Sequence, residues 1–339
     1  MTQSEDILLD EYVYAWPREN SEVSLQDFLA KYKPSMVQDD GTKPWIWVRG
    51  PGASATDKNV EIAVEEARNL LTEVTEKVEA IKNDESIPVR SNKKTGAKSK
   101  KEVREKAQSE AAVELKDISI RNGFVSGKWL IFASNDKVDM IWSGLATSLV
   151  SGSLSKTCAF EAKVSTCPKN EAPNSQHVLC LYMPDVYDQD KVTEVMKILL
   201  GEHGMTLSGV KSNLYTAIGL DSKHACGIQS TVWKNTALMK DGEIKELKDA
   251  YFASLSATKS KIADKAEEKT AITASKPKKP VLKKKVAETD PFASDEDEPS
   301  EPRVKDSSHV EASAGTKRPA ASRDQDEDEE QRPKKKGGI

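Results

Sequence analysis

Val60, Val64, Ala67, Leu71, Val74, Val78 and Ile81 recur at alternating spacings of four and three, which predicts one long helix over residues 56–83 started by Thr56 or Asp57. Two readings of so regular a seam stay open: it lies on its own domain, or it receives a partner helix. Upstream, Ser24 stands three residues before Asp27 and precedes Leu25, Phe28 and Leu29, a capped short helix; Trp45-Ile46-Trp47-Val48 then reads as a strand. Pro88 ends the long helix, residues 91–101 (SNKKTGAKSKK) read as a basic surface insertion, and a second helix follows to about Asp117.

From Gly127 the pattern becomes dense. It predicts a strand at 128–133, a helix at 136–150, strands at 158–164 and 177–183, a helix at 188–200, strands at 215–220 and 228–233, and a helix at 243–255. Val138, Ile141, Trp142, Leu145 and Leu149 form one face of the first of these helices; Val192, Val195, Met196, Leu199 and Leu200 form one face of the second. Hairpins between 158–164 and 177–183, and between 215–220 and 228–233, imply an α+β fold. Its sheet is mainly antiparallel, with helices on one face and the other face open.

Composition sets the boundaries. The chain is 37% hydrophobic and 31% charged, and beyond residue 256 its only aromatic residue is Phe292. Residues 1–14 read as a flexible N-terminus, 15–255 as one ordered domain and 256–339 as a disordered charged tail. The net charge is −4, with 51 basic against 55 acidic residues, so any electrostatic function comes from local patches. No apolar run of about 20 residues and no secretory leader is visible, so neither secretion nor membrane insertion is expected. Cys158, Cys167, Cys180 and Cys226 form no C-x-x-C pair and read as reduced thiols.

No enzyme signature stands out, and no cofactor or metal is expected: there is no P-loop, no G-x-G-x-x-G and no G-x-S-x-G. His177 and Cys180 fall on opposite faces of a predicted strand, which prevents them from sharing a metal. His224 and Cys226 lie in a predicted turn without a third group to orient the histidine. The tail carries Lys317 and Arg318 ahead of Lys334, Lys335 and Lys336, two clusters of the bipartite import type, and a further basic block at 278–285. These clusters read either as an address for an import receptor, giving nucleus and cytoplasm, or as part of a solvated polyampholyte. Ser294, followed by Asp295-Glu296-Asp297-Glu298, has the form of an acid-directed phosphorylation site.

Gly127-Lys128-Trp129-Leu130-Ile131-Phe132, Asp139-Met140-Ile141-Trp142 and His177-Val178-Leu179-Cys180-Leu181-Tyr182 resemble the basophilic-leukaemia-expressed protein family. The resemblance runs from about Trp16 to Trp233 and is strongest over 126–220. It implies the fold of the cap-binding translation initiation factor of the 4E type: a curved, mainly antiparallel sheet with helices on its convex back. In that factor two tryptophans hold a methylated guanine, a glutamate following one of them fixes its edge, and basic residues hold the phosphates. Lys128 and Lys163 match the basic positions. The guanine site has no counterpart: residues 115–120 read Leu-Lys-Asp-Ile-Ser-Ile where the Trp-Glu pair should stand, and the loop 50–56 has no aromatic.

Trp45 and Trp47 are assigned to the strand itself, and Trp129 and Trp142 to the core. The resulting expectation is a non-enzymatic module that binds single-stranded RNA through Lys128 and Lys163, with Phe132 and Tyr215 as a stacking platform and the basic linkers assisting. The alternative is a protein-interaction scaffold that uses helix 56–83 and the charged tail.

Overall fold

The computed structural model describes residues 12–18, 22–169 and 175–271. Its strands are β1 (Ala15–Trp16), β2 (Trp45–Arg49), β3 (Gly127–Ser134), β4 (Glu161–Ser165), β5 (Gln176–Met183) and β6 (Leu207–Ser212), in the order β1-β2-β4-β5-β3-β6. Among the described residues the β1·β2 pairing is parallel and the other strand pairings are antiparallel, with one isolated parallel bridge between Gln38 and Cys167. The sequence thus has the right class, α+β on a largely antiparallel open sheet.

Alternation along the strands builds the main core. Ile46, Val48, Trp129, Ile131, Ala162, Val164, Leu179, Leu181 and Val210 point to one side and are all but inaccessible. They share their core with Phe28 and Leu29 of helix α1 (Leu25–Lys31) and pack against helices α4 (Asn135–Ser151) and α5 (Gln189–Gly201), which present Val138, Trp142, Leu145 and Leu149, and Val192, Val195, Met196 and Leu199. Both apolar stripes are the ones the periodicity predicts, and Trp129 and Trp142 are core residues.

A second core stands apart from the sheet. Helices α2 (Val60–Asn83) and α3 (Lys100–Asn122) pack along each other, and Ala67, Leu71, Val74 and Val78 of α2 meet Ala111, Leu115 and Ile118 of α3. The regular seam of α2 is therefore covered by a helix of the same chain, and the reading in which it receives a partner helix loses its support. Arg121 closes the hairpin's exposed side by bridging Glu66 and Glu114 at 2.8 and 3.0 Å.

Ser99 starts α3 with a reciprocal capping box: Glu102 N donates to the Ser99 hydroxyl, and the Ser99 N–H donates to the Glu102 carboxylate at 2.8 Å. Ser99→Ala is expected to lower unfolding free energy by about 1 kcal/mol in urea titration, since the cap's orphan donors return to solvent.

Three expected elements come out differently. Residues 215–220 form no strand: Ser212 caps helix α6 (Asn213–Ala217), whose Leu214 and Tyr215 share the second core with Ile218 just beyond its end. The apolar spacing of one and four is helical, and it overrides the partial alternation of Tyr215, Ala217 and Gly219.

The strand that occupies this edge of the sheet is β6. Its glycine hides it from pattern reading: Gly209 has φ +147°, and Trp233 O lies 2.8 Å from where a Cβ would sit. Residues 228–233 likewise form no strand. They are a strap bridged to β6 where Val210 N donates to Trp233 O and Val232 N donates to Val210 O.

The last helix also outruns its expected end. After the short α7 (Asn235–Leu238), α8 spans Asp241–Ala271, because the stretch after Leu255 keeps Ala, Lys and Glu, good helix formers, while losing its apolar face. The tail clusters Lys317, Arg318, Lys334, Lys335 and Lys336, the block 278–285 and Ser294 lie outside the described residues. No helix among the described residues is long and apolar enough to cross a membrane.

Candidate nucleic-acid interface

The side of the sheet turned away from α4 and α5 carries the alternate residues. Register sets them in rows: Arg49, Glu161, Tyr182, Lys128 and Lys211 lie abreast on β2, β4, β5, β3 and β6, and Trp47, Lys163, Cys180, Leu130 and Gly209 form the next row. Trp45 follows on β2. The W-I-W-V run buries Ile46 and Val48 and leaves both tryptophans half-buried on the open side.

The rings and cations on this face meet. The Lys163 ammonium lies 4.0 Å from the Trp45 ring centroid, 4.7 Å from Trp47 and 5.7 Å from Tyr182. Trp47 stacks on Tyr182 at 6.0 Å with 19° between planes, and Phe160 lies 6.3 Å from Tyr182, tilted by 46°. Such a cation among π-faces gains roughly 0.5–2 kcal/mol, which holds the long lysine side chain over the rings. Arg49 Nε donates to Glu161 at 3.3 Å. Besides the buried Lys128, the two rows carry Arg49, Lys163 and Lys211 with the carboxylate of Glu161 among the described residues.

Lys128 occupies this face in a different way from Lys163. It is 7% exposed; its ammonium donates to Asn213 Oδ1 at 3.1 Å and lies 5.3 Å from the Tyr182 ring. Asn213 Nδ2 donates to the Ser126 hydroxyl at 2.7 Å, and Ser126 in turn donates to Asp57. Burial lowers the Lys128 pKa to about 8, and the nearby Lys163 and Lys211 add to the effect. Lys128 therefore positions Tyr182 instead of presenting a charge to solvent.

Of the expected stacking residues, Phe132 is on this face and 40% exposed. Tyr215 is not: it sits on α6 in the second core and is 3% exposed. The aromatic side chains that cluster on this face are Trp45, Trp47 and Tyr182. The period-two rule applied to W-I-W-V would have found the tryptophans. Lys211 was hidden along with β6.

The other chemistry weighed in the sequence resolves into packing. His177 faces the core, with Nδ1 2.7 Å from Ser165 O and Nε2 3.1 Å from Asn135 Oδ1, while Cys180 points to the open side. At the turn, Cys226 N donates to His224 Nδ1, and the thiol is inaccessible and pushed up by burial, which disfavours a thiolate.

Fold and face together define a class: an α+β protein on an open six-stranded sheet, helices on one side, clustered aromatic and cationic side chains on the other. Within it, the family model Basophilic leukemia-expressed protein Bles03 matches residues 9–212, more than half of the chain and up to the last residue of β6. The chain belongs to that family.

Proposed function

We propose that the chain is a non-enzymatic module that holds single-stranded RNA across the open face of its sheet, on a fold of the kind built by the cap-binding translation initiation factor of the 4E type. The observation that carries the reading is the meeting of Trp45, Trp47 and Tyr182 with Lys163 on one face. Indole faces accept any base by stacking, and the cations attract phosphates without reading sequence. Lys163 serves both states: its ammonium covers the rings in the free protein and turns to a phosphate when a base takes its place. The fold assignment is supported by the Gly127–Ile131 strand leading into the helix of Asp139 and Trp142, followed by the β4–β5 hairpin and α5.

Cap recognition of the usual kind is not expected. Residues 115–120 belong to α3, and Trp45 and Trp47 project side by side from one strand, so they do not face each other as two walls. Transport between nucleus and cytoplasm through the tail clusters and an import receptor completes the proposal.

Fluorescence anisotropy of the full chain with short capped and uncapped RNA, at two salt concentrations, tests the sheet site. Trp47→Ala is expected to weaken binding roughly five- to a hundredfold, the worth of one stacked base. Lys163→Glu is expected to weaken it further and flatten the salt dependence. Capped and uncapped RNA should bind alike. Unchanged affinity in both variants would assign any binding to the tail and remove the face from the account.

A further inference from the structure

Beyond the sheet edge lies a cleft of about 560 Å³ between α3 and the strap 227–233, lined also by Tyr187 and Tyr215. It does not share residues with the aromatic face. The strap bends at Ser230 and Val232, so the cleft is a recess and not the continuation of a strand. Gln108 holds the strap against α3, its Nε2 donating to Cys226 O at 2.9 Å. Gly227 permits this approach: its φ is +68°, and a Cβ there would lie 2.5 Å from Gln108 Nε2.

The lining combines fixed rings with an unmatched cation. Tyr187 and Trp233 are half-buried, and each is tethered by its polar atom: the Tyr187 hydroxyl donates to the Ser119 hydroxyl at 3.1 Å, and Trp233 Nε1 donates to Val186 O at 2.7 Å. Ile228 and Val232 add apolar surface. The charged lining residues are Glu105 and Lys116. Glu105 is paired with Lys101 at 3.8 Å, whereas Lys116 makes no salt bridge among the described residues and its ammonium lies 5.6 Å from the Tyr187 ring centroid. The charge left unmatched in the cleft is therefore positive, which favours an anion. Concave sites of roughly 300–1,000 Å³ with aromatic and apolar walls and a few placed polar groups are the usual form of small-molecule sites.

We propose that this cleft binds a small planar aromatic anion, whose ring packs against Tyr187 and Trp233 and whose carboxylate or phosphate meets the Lys116 ammonium. Because that ammonium already lies over the Tyr187 ring, an acid group bound to it brings the attached ring alongside Tyr187. The tethers on Tyr187 and Trp233 hold both rings in place before the ligand arrives, so binding has little side-chain order left to impose. Lys116 supplies selection for the acid, and the rings supply selection for a flat, apolar body.

Indole proton–nitrogen correlation spectra of the full-length protein test this, with naphthoate and naphthyl phosphate as probes and naphthamide as the uncharged control. The Trp233 signal, identified by its loss in Trp233→Phe, is expected to move with at least one of the two acids, and the tighter of them names the acid group. Naphthamide should bind roughly three- to tenfold more weakly than that acid, the worth of one charge-assisted contact at an accessible site. Lys116→Met should weaken the acid by the same factor and leave the amide unchanged. Lys116 is exposed on α3, so the variant should keep its fold, and the acid–amide comparison carries the same test on the unaltered protein. A Trp233 signal unmoved by either acid, equal midpoints for acid and amide, or an acid midpoint unchanged in Lys116→Met would each overturn the proposal. So would movement confined to Trp45 and Trp47, which would assign the acids to the sheet face.

Discussion

Lys128→Met is expected to raise unfolding free energy by about 1–2 kcal/mol at pH 7 and to lose that advantage by about pH 10.5. Burial depresses the folded-state pKa from 10.5 to about 8, so the folded chain gives up this proton before the unfolded chain does. Between pH 8 and 10.5 the unfolded state binds more protons, and wild-type stability contributed by this group rises with pH. Below pH 8 both states are protonated and the folded chain carries the whole cost of the buried ammonium, about 3 kcal/mol. Methionine removes that cost but deprives Asn213 Oδ1 of its donor, which returns about 1–1.5 kcal/mol.

Urea unfolding of both proteins at pH 7, 8.5 and 10 measures the difference. The comparison reads Lys128 together with the neighbouring Cys180 thiol, whose pKa burial raises and the Lys163 and Lys128 charges lower; titrations remote from this pair are common to both chains. Tyr12, raised to about 12 mainly by burial, and Cys158, raised to about 11 for the same reason, keep their protons longer when folded and destabilise both proteins alike as pH rises. A difference that stays constant from pH 7 to 10 would mean that Lys128 is neutral or solvated in the folded protein.

Leu115→Ala should cost about 2–5 kcal/mol, the range for emptying a leucine site in a well-packed core. Leu115 is 0% exposed at the centre of the second core, among Ala67, Leu71 and Leu214. Because that core is separate from the one under the sheet, the loss should be local. Hydrogen exchange is expected to accelerate in α2, α3 and residues 214–228 while β3 and β5 keep their protection. Equal acceleration throughout would show that the two cores unfold as one unit.

Where periodicity was strong and uninterrupted, the sequence was a sufficient guide. The stripes of α4 and α5, Trp142 among them, and the β4–β5 hairpin follow from spacing, while the core place of Trp129 follows from the family resemblance. The seam of α2 was visible too, but not its occupant, since α3 has a thin apolar face of alanines with Leu115 and Ile118 and lies beyond a basic loop. The errors cluster after Gly204. There a strand contains a glycine in a conformation side chains avoid, a five-residue helix follows it, and the strap joins the sheet by a single bridge.

The site was legible in part for the same reason. Lys163 and Phe132 lie on strands the pattern located, whereas the placement of Tyr215 followed from an element that does not exist. Lys128 shows a different limit: alternation gives the correct face, but only the packing of Tyr182 and Asn213 reveals that its charge is buried.

The distribution of the six tryptophans has a spectroscopic consequence. Trp129 and Trp142 are sealed in the core and insensitive to solutes, while Trp45 and Trp47 lie beside an ammonium on an accessible face. Collisional quenchers therefore divide the emission into a protected and an addressable fraction. Any ligand that settles on the sheet announces itself in the second, without a label.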